Sequence, residues 1–306
     1  MSDRNPFIER SRITDPRHFA GRWGELSMLF ERLEAGRPVL VTGAAGIGKS
    51  SFLTHTAQAA ATAMDQHEMR TYYLDLSVLP GAADAYRLIV GALGGRGAAR
   101  AALEIALLEV GVPVLLCLDN ADAAIAAGWG TAFVEELARI GRARQLKLVV
   151  AANGPAPLFS ERFAQVNLGA FAPPEVRLMT DAYLDETDVV FSPGELRELA
   201  DLSVAHPAYL QRAAYHLFES KVRPGGDWRA AYLAEARERP VPGAPLPPAV
   251  FEGAVSSRTG ESAYGGGDAL PATAPGQLPL PALNTRLAVA VLFCLTLALV
   301  LIALWS

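Results

Sequence analysis

Cysteine is nearly missing from this chain: Cys117 and Cys294 are the two among 306 residues. One sits in an apolar, strand-like run and the other in a long apolar tail. Neither reads as a disulfide partner or a metal ligand, and a reduced, cytoplasmic setting is expected. Histidine is scarce too, and His18, His55, His67, His206 and His216 show no metal-ligand spacing with cysteines or carboxylates. Charge is sparse at 19% of residues, with a net value of −5, which argues against the basic face that a nucleic-acid partner needs. The polar start Met1-Ser2-Asp3-Arg4-Asn5 leads into no apolar stretch, so a secretory leader is not expected. The sequence shows no internal repeat and no coiled-coil heptads. Apolar residues, at 51%, allow a sizeable core, and the length suggests about two domains.

Residues 43–50 read Gly-Ala-Ala-Gly-Ile-Gly-Lys-Ser, a complete G-x-x-x-x-G-K-[ST] phosphate-binding loop. It follows the apolar run Pro38-Val39-Leu40-Val41-Thr42 and opens the helical run Ser51-Phe52-Leu53. That strand–loop–helix setting separates the motif from a Gly-rich turn that binds nothing. Gly43, Gly46 and Gly48 let the backbone turn its N–H groups inward. Ala44, Ala45 and Ile47 complete the loop, and the helix that starts at Lys49 adds its positive end. Lys49 is expected on the β- and γ-phosphates and the Ser50 hydroxyl on Mg²⁺, with Ser51 beside them. The implied ligand is ATP or ADP with Mg²⁺.

Continuous apolar strands alternate with helices up to residue 172. Helical spacing of Trp23, Leu26, Leu29, Phe30 and Leu33 predicts a first helix. Strands are expected at 38–42, 71–76, 113–119 and 146–152, with a short fifth starting at Val166. Helices are expected at 84–93, 98–110 and 129–140. This pattern means a parallel sheet covered on both faces. From 173 to 239 the texture is helical only, with helices at 195–203, 207–219 and 227–239 forming a small lid. Ser192-Pro193-Gly194-Glu195 supplies an N-cap serine, a proline at the first position and a glutamate at the third. Residues 240–285 hold nine of the 21 prolines and seven of the 27 glycines, and a disordered linker is expected there. Leu287 to Trp305 is uncharged and proline-free. As a helix it would extend roughly 28 Å, close to a bilayer core. Arg286 and Trp305 are sensible interface anchors. Residues 286–306 therefore read as a single transmembrane helix that leaves the rest of the chain in the cytoplasm; a buried core helix would normally show a polar face.

Asp119 ends an apolar strand about 70 residues after the loop, where P-loop proteins place the acid that holds Mg²⁺. Asn120 follows, where many ATPases carry a glutamate that polarises the attacking water, and asparagine cannot accept that proton. Slow hydrolysis is the expected consequence. Asp122 either takes part or is a loop carboxylate. Asn153, ending the next strand, either bonds the attacking water or γ-phosphate or satisfies its own turn. Arg162 is a candidate charge stabiliser for the γ-phosphate, within the chain or toward a neighbouring subunit.

These residues carry a resemblance. Asn5-Pro6-Phe7, Ile13-Thr14-Asp15-Pro16, Phe19-Ala20-Gly21-Arg22 and Glu25-Leu26 are similar to the lead-in of bacterial AAA-like ATPases of the STAND class. So are Val41 through Leu53, and Ala205-His206-Pro207-Ala208-Tyr209-Leu210-Gln211 with Tyr215 to Glu219 in the lid. The resemblance covers about residues 5–220. It implies an α/β fold related to AAA+ and origin-recognition ATPases, with a parallel sheet ordered 5-1-4-3-2 and a helical lid. It also implies that Phe19 to Arg22 and His206-Pro207 flank the adenine and sense the nucleotide. Ala205 stands where the family has glycine, and Asn120 where it has an acid. Three functions stay open: a membrane-tethered, slow ATP-dependent switch with a possible homo-oligomer and an unidentified protein partner; a nucleotide-binding scaffold without turnover; and a DNA-associated ATPase, which the acidic balance and the tail disfavour.

Overall fold

The computed structural model describes residues 4–143, 145–153 and 162–251. Five strands, β1 Val39–Gly43, β2 Arg70–Asp75, β3 Val114–Asp119, β4 Leu146–Ala151 and β5 Ala164–Leu168, form one sheet. Every pairing is parallel and the spatial order is β2-β3-β4-β1-β5, which is 5-1-4-3-2 read from the other edge. Parallel strands need helical crossovers, and these cover both faces. Alternate residues of each strand therefore enter different cores. Leu40, Leu116, Leu118, Leu148 and Val150 face α3 Ala82–Ala92, α4 Arg100–Val110, α5 Ala121–Ala126 and α6 Gly130–Ala143. Val39, Val41, Leu115, Cys117 and Val149 face α1 Trp23–Glu34 and α2 Lys49–Ala63. Trp23, which the helical spacing places on the apolar stripe of α1, is instead 62% exposed. It is the first residue of the helix, and its ring reaches only the edge of His55.

The helical unit contains α7 Pro173–Leu184, α8 Pro193–Ser203, α9 Pro207–Val222 and α10 Trp228–Glu238. Helix α8 starts with the reciprocal cap expected from its sequence: Glu195 N–H donates to Ser192 Oγ and Ser192 N–H to the Glu195 carboxylate. Tyr209, Leu210, Leu217, Phe218 and Tyr232 make the centre of this core.

Two segments depart from the sequence-based organisation. The first residues of the lead-in, placed with the α/β part by sequence, pack into the helical core. Phe7 is fully buried and stacks on Tyr183 and Phe191 at 5.1 and 5.9 Å, while Asn5 donates to the carbonyl of Tyr215. The expected linker also begins too early. Residues 240–251 lie against the helices: Val241 and Val250 are buried, Val241 N–H donates to Tyr209 Oη, and Arg237 donates to the Val250 carbonyl. Prolines lower the entropy that a chain loses on ordering, and this stretch carries Val241, Leu246 and Val250 to bury. No helix among the described residues is long and apolar enough to cross a membrane; the predicted span at 287–305 lies outside the described residues.

Candidate functional site

The phosphate-binding loop closes between β1 and α2 at the carboxyl ends of the strands, where open α/β sheets bind ligands. Its three glycines all have positive φ, a backbone region that other residues rarely adopt. Gly43 has φ +150°, and a Cβ there would meet the Leu168 carbonyl oxygen at 2.6 Å. Gly46 has φ +71°, and its Cβ would meet Val241 at 2.7 Å and His206 at 3.1 Å. Gly48 has φ +99° with open space beside it. Ile47 is buried beneath the loop and anchors it to the core.

A pocket of about 430 Å³ lies over the loop, within the size range of small-molecule sites, about 300–1,000 Å³. Ala45, Gly46, Gly48, Lys49, Ser50 and Ser51 form its floor. Asn120 and Asn153 stand at the strand ends, Pro207, Ala208, Gln211 and Arg212 come from α9, and Val241 and Pro242 close one side. A second cavity, about 360 Å³, lies at the opposite strand ends beside Pro38, Pro113 and Leu146 and shares no residue with the loop.

Lys49 is nearly buried and donates to the carbonyls of Gly43 at 2.9 Å and Ala44 at 2.8 Å. Burial holds its ammonium below the usual lysine range, against the opposing pull of Asp122 and Asp119. Asp119 is 2% exposed. Tyr73 Oη donates to its Oδ2 at 2.5 Å and Asn120 N–H to its Oδ1 at 2.9 Å. The parallel register that pairs Tyr73 with Cys117 and Asp75 with Asp119 brings these groups together. Asn120, at φ +54°, donates its amide to Asp75 Oδ1 at 2.9 Å. Asp122 accepts from the Asn153 side chain at 2.9 Å and from its N–H at 3.2 Å, so these two candidates hold each other.

The helical unit reaches the loop through His206, whose Nε2 contacts the Ala45 carbonyl at 3.0 Å. Burial pushes this imidazole below the ordinary histidine range, which the Ala45 contact partly offsets. Val204 and Ala205, at φ +54° and +48°, turn the chain into α9. The left-handed backbone at Ala205 is the conformation that glycine adopts freely.

Arg22 and Arg162 make no hydrogen bond with the loop, although Arg22 is near enough to His206 to act on its charge. Arg22 does not line the pocket. Its guanidinium donates to Glu25 at 3.0 Å and to the Gly169 carbonyl at 2.6 Å, and it lies over Phe171. Its N–H is taken by Glu175, so it ties the lead-in to the start of α7. Arg162 is exposed in a turn before β5 and does not line the pocket either. Sequence reasoning missed Arg10 and Arg12, which do line it, and Tyr73. A coil segment carries no periodicity to mark them. Among the described residues no cluster of three or more His, Cys, Asp or Glu is placed to hold a metal ion by itself. A cation here would share its ligands between Ser50, Asp119 and a phosphate.

No protein-family model and no curated protein matches the chain. Solved structures do resemble it. The Orc1 protein of Aeropyrum pernix in complex with DNA is 17% identical, with a TM-score of 0.56 over 75% of this chain and 68% of that one. A Walker-type ATPase of Pyrococcus abyssi is 14% identical, with a TM-score of 0.55 over 83% and 79%. Drosophila ORC bound to DNA is 16% identical, with a TM-score of 0.51 over 77% and 65%. At these identities the likeness defines the fold. The chain has the P-loop α/β fold of these structures, a parallel five-stranded sheet covered by helices and followed by a helical unit.

Proposed function

We propose that this protein binds ATP with Mg²⁺ and acts as a slow, nucleotide-dependent switch. One observation carries the reading: a phosphate-binding loop with left-handed glycines presents Lys49 and Ser50 to a pocket roofed by the lid. Lys49 would exchange the carbonyls of its own loop for phosphate oxygens, regaining the countercharge that burial denies it. Ser50 and Asp119 would hold Mg²⁺, which supplies positive charge across the terminal phosphates. Asn153, fixed by Asp122, would orient water or the γ-phosphate. His206 and Gly46 join lid to loop, so a ligand on the loop would bias the lid's position.

A second reading, a nucleotide-binding scaffold without turnover, has its own support. The Asn120 amide is committed to Asp75 and cannot serve as a base. Calorimetric titration of Mg-ATP together with a phosphate-release assay separates the two. Binding with measurable release supports the switch, binding without release supports the scaffold, and no binding removes both. The STAND-class identity, a homo-oligomer in the ATP state and an unidentified protein partner belong to the same proposal. So does tethering through 286–306 with the ATPase part in the cytoplasm. Deleting 286–306 should move the protein to the soluble fraction; persistence with membranes would contradict the tether.

A further inference from the structure

Resting on that reading, we propose that Arg12, delivered by the lead-in of the same chain, is the arginine that reads the terminal phosphate of a bound nucleoside triphosphate. The role expected of Arg162, or of a neighbouring subunit, would then be filled internally.

The segment around Arg12 is fixed on the phosphate-binding side. Ile13 N–H donates to Ser51 Oγ at 3.0 Å, and Gln58 of α2 donates to the Thr14 carbonyl at 2.9 Å. Both anchors lie on the helix that follows the loop, so Arg12 cannot drift far from Lys49 and Ser50, with which it lines the pocket. Its guanidinium lies 4.1 Å from the centroid of the Tyr73 ring. The hydroxyl of that ring is bonded to Asp119. Arg12 therefore stands at the carboxylate end of the pocket, where Mg²⁺ and the last phosphate would sit. Stacking on an aromatic face fixes the guanidinium plane; the guanidinium also acts on the Tyr73 hydroxyl, and a guanidinium has five N–H donors, enough to serve a phosphoryl group besides.

Charge accounting favours Arg12 over the neighbouring arginines. Arg10 is held by Glu235 of α10, and Arg22 by Glu25. Arg212 donates to the Arg239 carbonyl and has Glu235 at 3.9 Å. Among the described residues Arg12 has no carboxylate within ion-pairing distance, and its countercharge is shared only through Tyr73 and the nearby Asp75. A planar, weakly compensated guanidinium beside a phosphate-binding loop is suited to a dianionic phosphoryl group.

The test is a pair of calorimetric titrations, Mg-ATP and Mg-ADP, into the wild-type chain, Arg12→Ala and Arg12→Lys. Arg12→Ala should weaken ATP by about tenfold or more, the scale of a charge-assisted contact, while ADP affinity stays unchanged. Arg12→Lys should recover part of the ATP affinity, since it keeps the charge and loses the fork. Arg12→Ala also loses the contact with the Tyr73 ring, so the deciding readout is the ratio of ATP to ADP affinity, which a loss of stability alone would leave unchanged. Equal weakening of ATP and ADP, or of neither, overturns the proposal while leaving the loop assignment standing. Absence of binding by the wild-type chain overturns both.

Discussion

Removal of one hydroxyl, Tyr73→Phe, should lower stability and sharpen the response to Mg-ATP. Asp119 is almost wholly buried, and Tyr73 Oη and the Asn120 N–H are its donors. Burial, and then the bond to Asp119, pushes the Tyr73 phenol above its ordinary value, so it stays protonated and donating through the physiological range. Losing a hydrogen bond to a charged group costs about 1.5–3 kcal/mol. For a domain of this size, each kcal/mol moves the thermal midpoint by about 2–4 °C, so a fall of roughly 3–12 °C is expected. If Asp119 holds Mg²⁺ as proposed, the same hydroxyl occupies a carboxylate oxygen that the cation would take. Stabilisation by saturating Mg-ATP should therefore be larger in the variant than in wild type. Differential scanning calorimetry with and without Mg-ATP reads both quantities. An unchanged midpoint, or equal stabilisation of the two proteins by Mg-ATP, would refute the idea that Tyr73 holds the metal-binding carboxylate.

Asn120→Glu should raise phosphate release by about a hundredfold, the lower end of general-base contributions, at a cost in stability because a carboxylate replaces the amide that donates to Asp75 and must adopt φ +54°; release unchanged from wild type would contradict the role given to this position. Stability should fall on acidification. His206 is held neutral by burial, its folded value lies below the unfolded 6.5, and so its contribution is complete above pH 6.5 and is lost as the pH drops through the folded value. Urea unfolding at pH 7.5 and 5.5 should show this loss, and His206→Gln should reduce it; an equal loss in the variant would locate the effect elsewhere. Ala205→Gly should stabilise by about 0.5–1 kcal/mol, since the left-handed backbone costs alanine about 1–2 kcal/mol and glycine's flexibility returns about 0.5–1. A lower unfolding midpoint in Ala205→Gly would contradict that account.

The sheet and the loop were legible because their signals are local. Runs such as Val114–Asp119 are apolar throughout, and the glycines at 43, 46 and 48 stand in the spacing that left-handed turns demand. The strand order came from resemblance, since no property of a single strand states its neighbours. The capping of α8 was legible for the same local reason. What escaped depends on distant partners. Helix α5 has only six residues, too few for a periodicity to show. Residues 240–251 read as linker because their prolines were averaged with the glycine-rich stretch that follows, yet Tyr209 takes up the N–H of Val241. Arg22 and Arg12 are both lead-in arginines. Sequence chose the first, whereas the structure gives Arg22 to Glu25 and Gly169 and leaves Arg12 over Tyr73.

The most direct measurement is the titration of Mg-ATP into the 306-residue chain in detergent, in parallel with Lys49→Ala. The account requires saturable, one-site heat for the wild type and a severe loss of affinity when the ammonium is removed. Equal heats from the two proteins, or none from either, would contradict it.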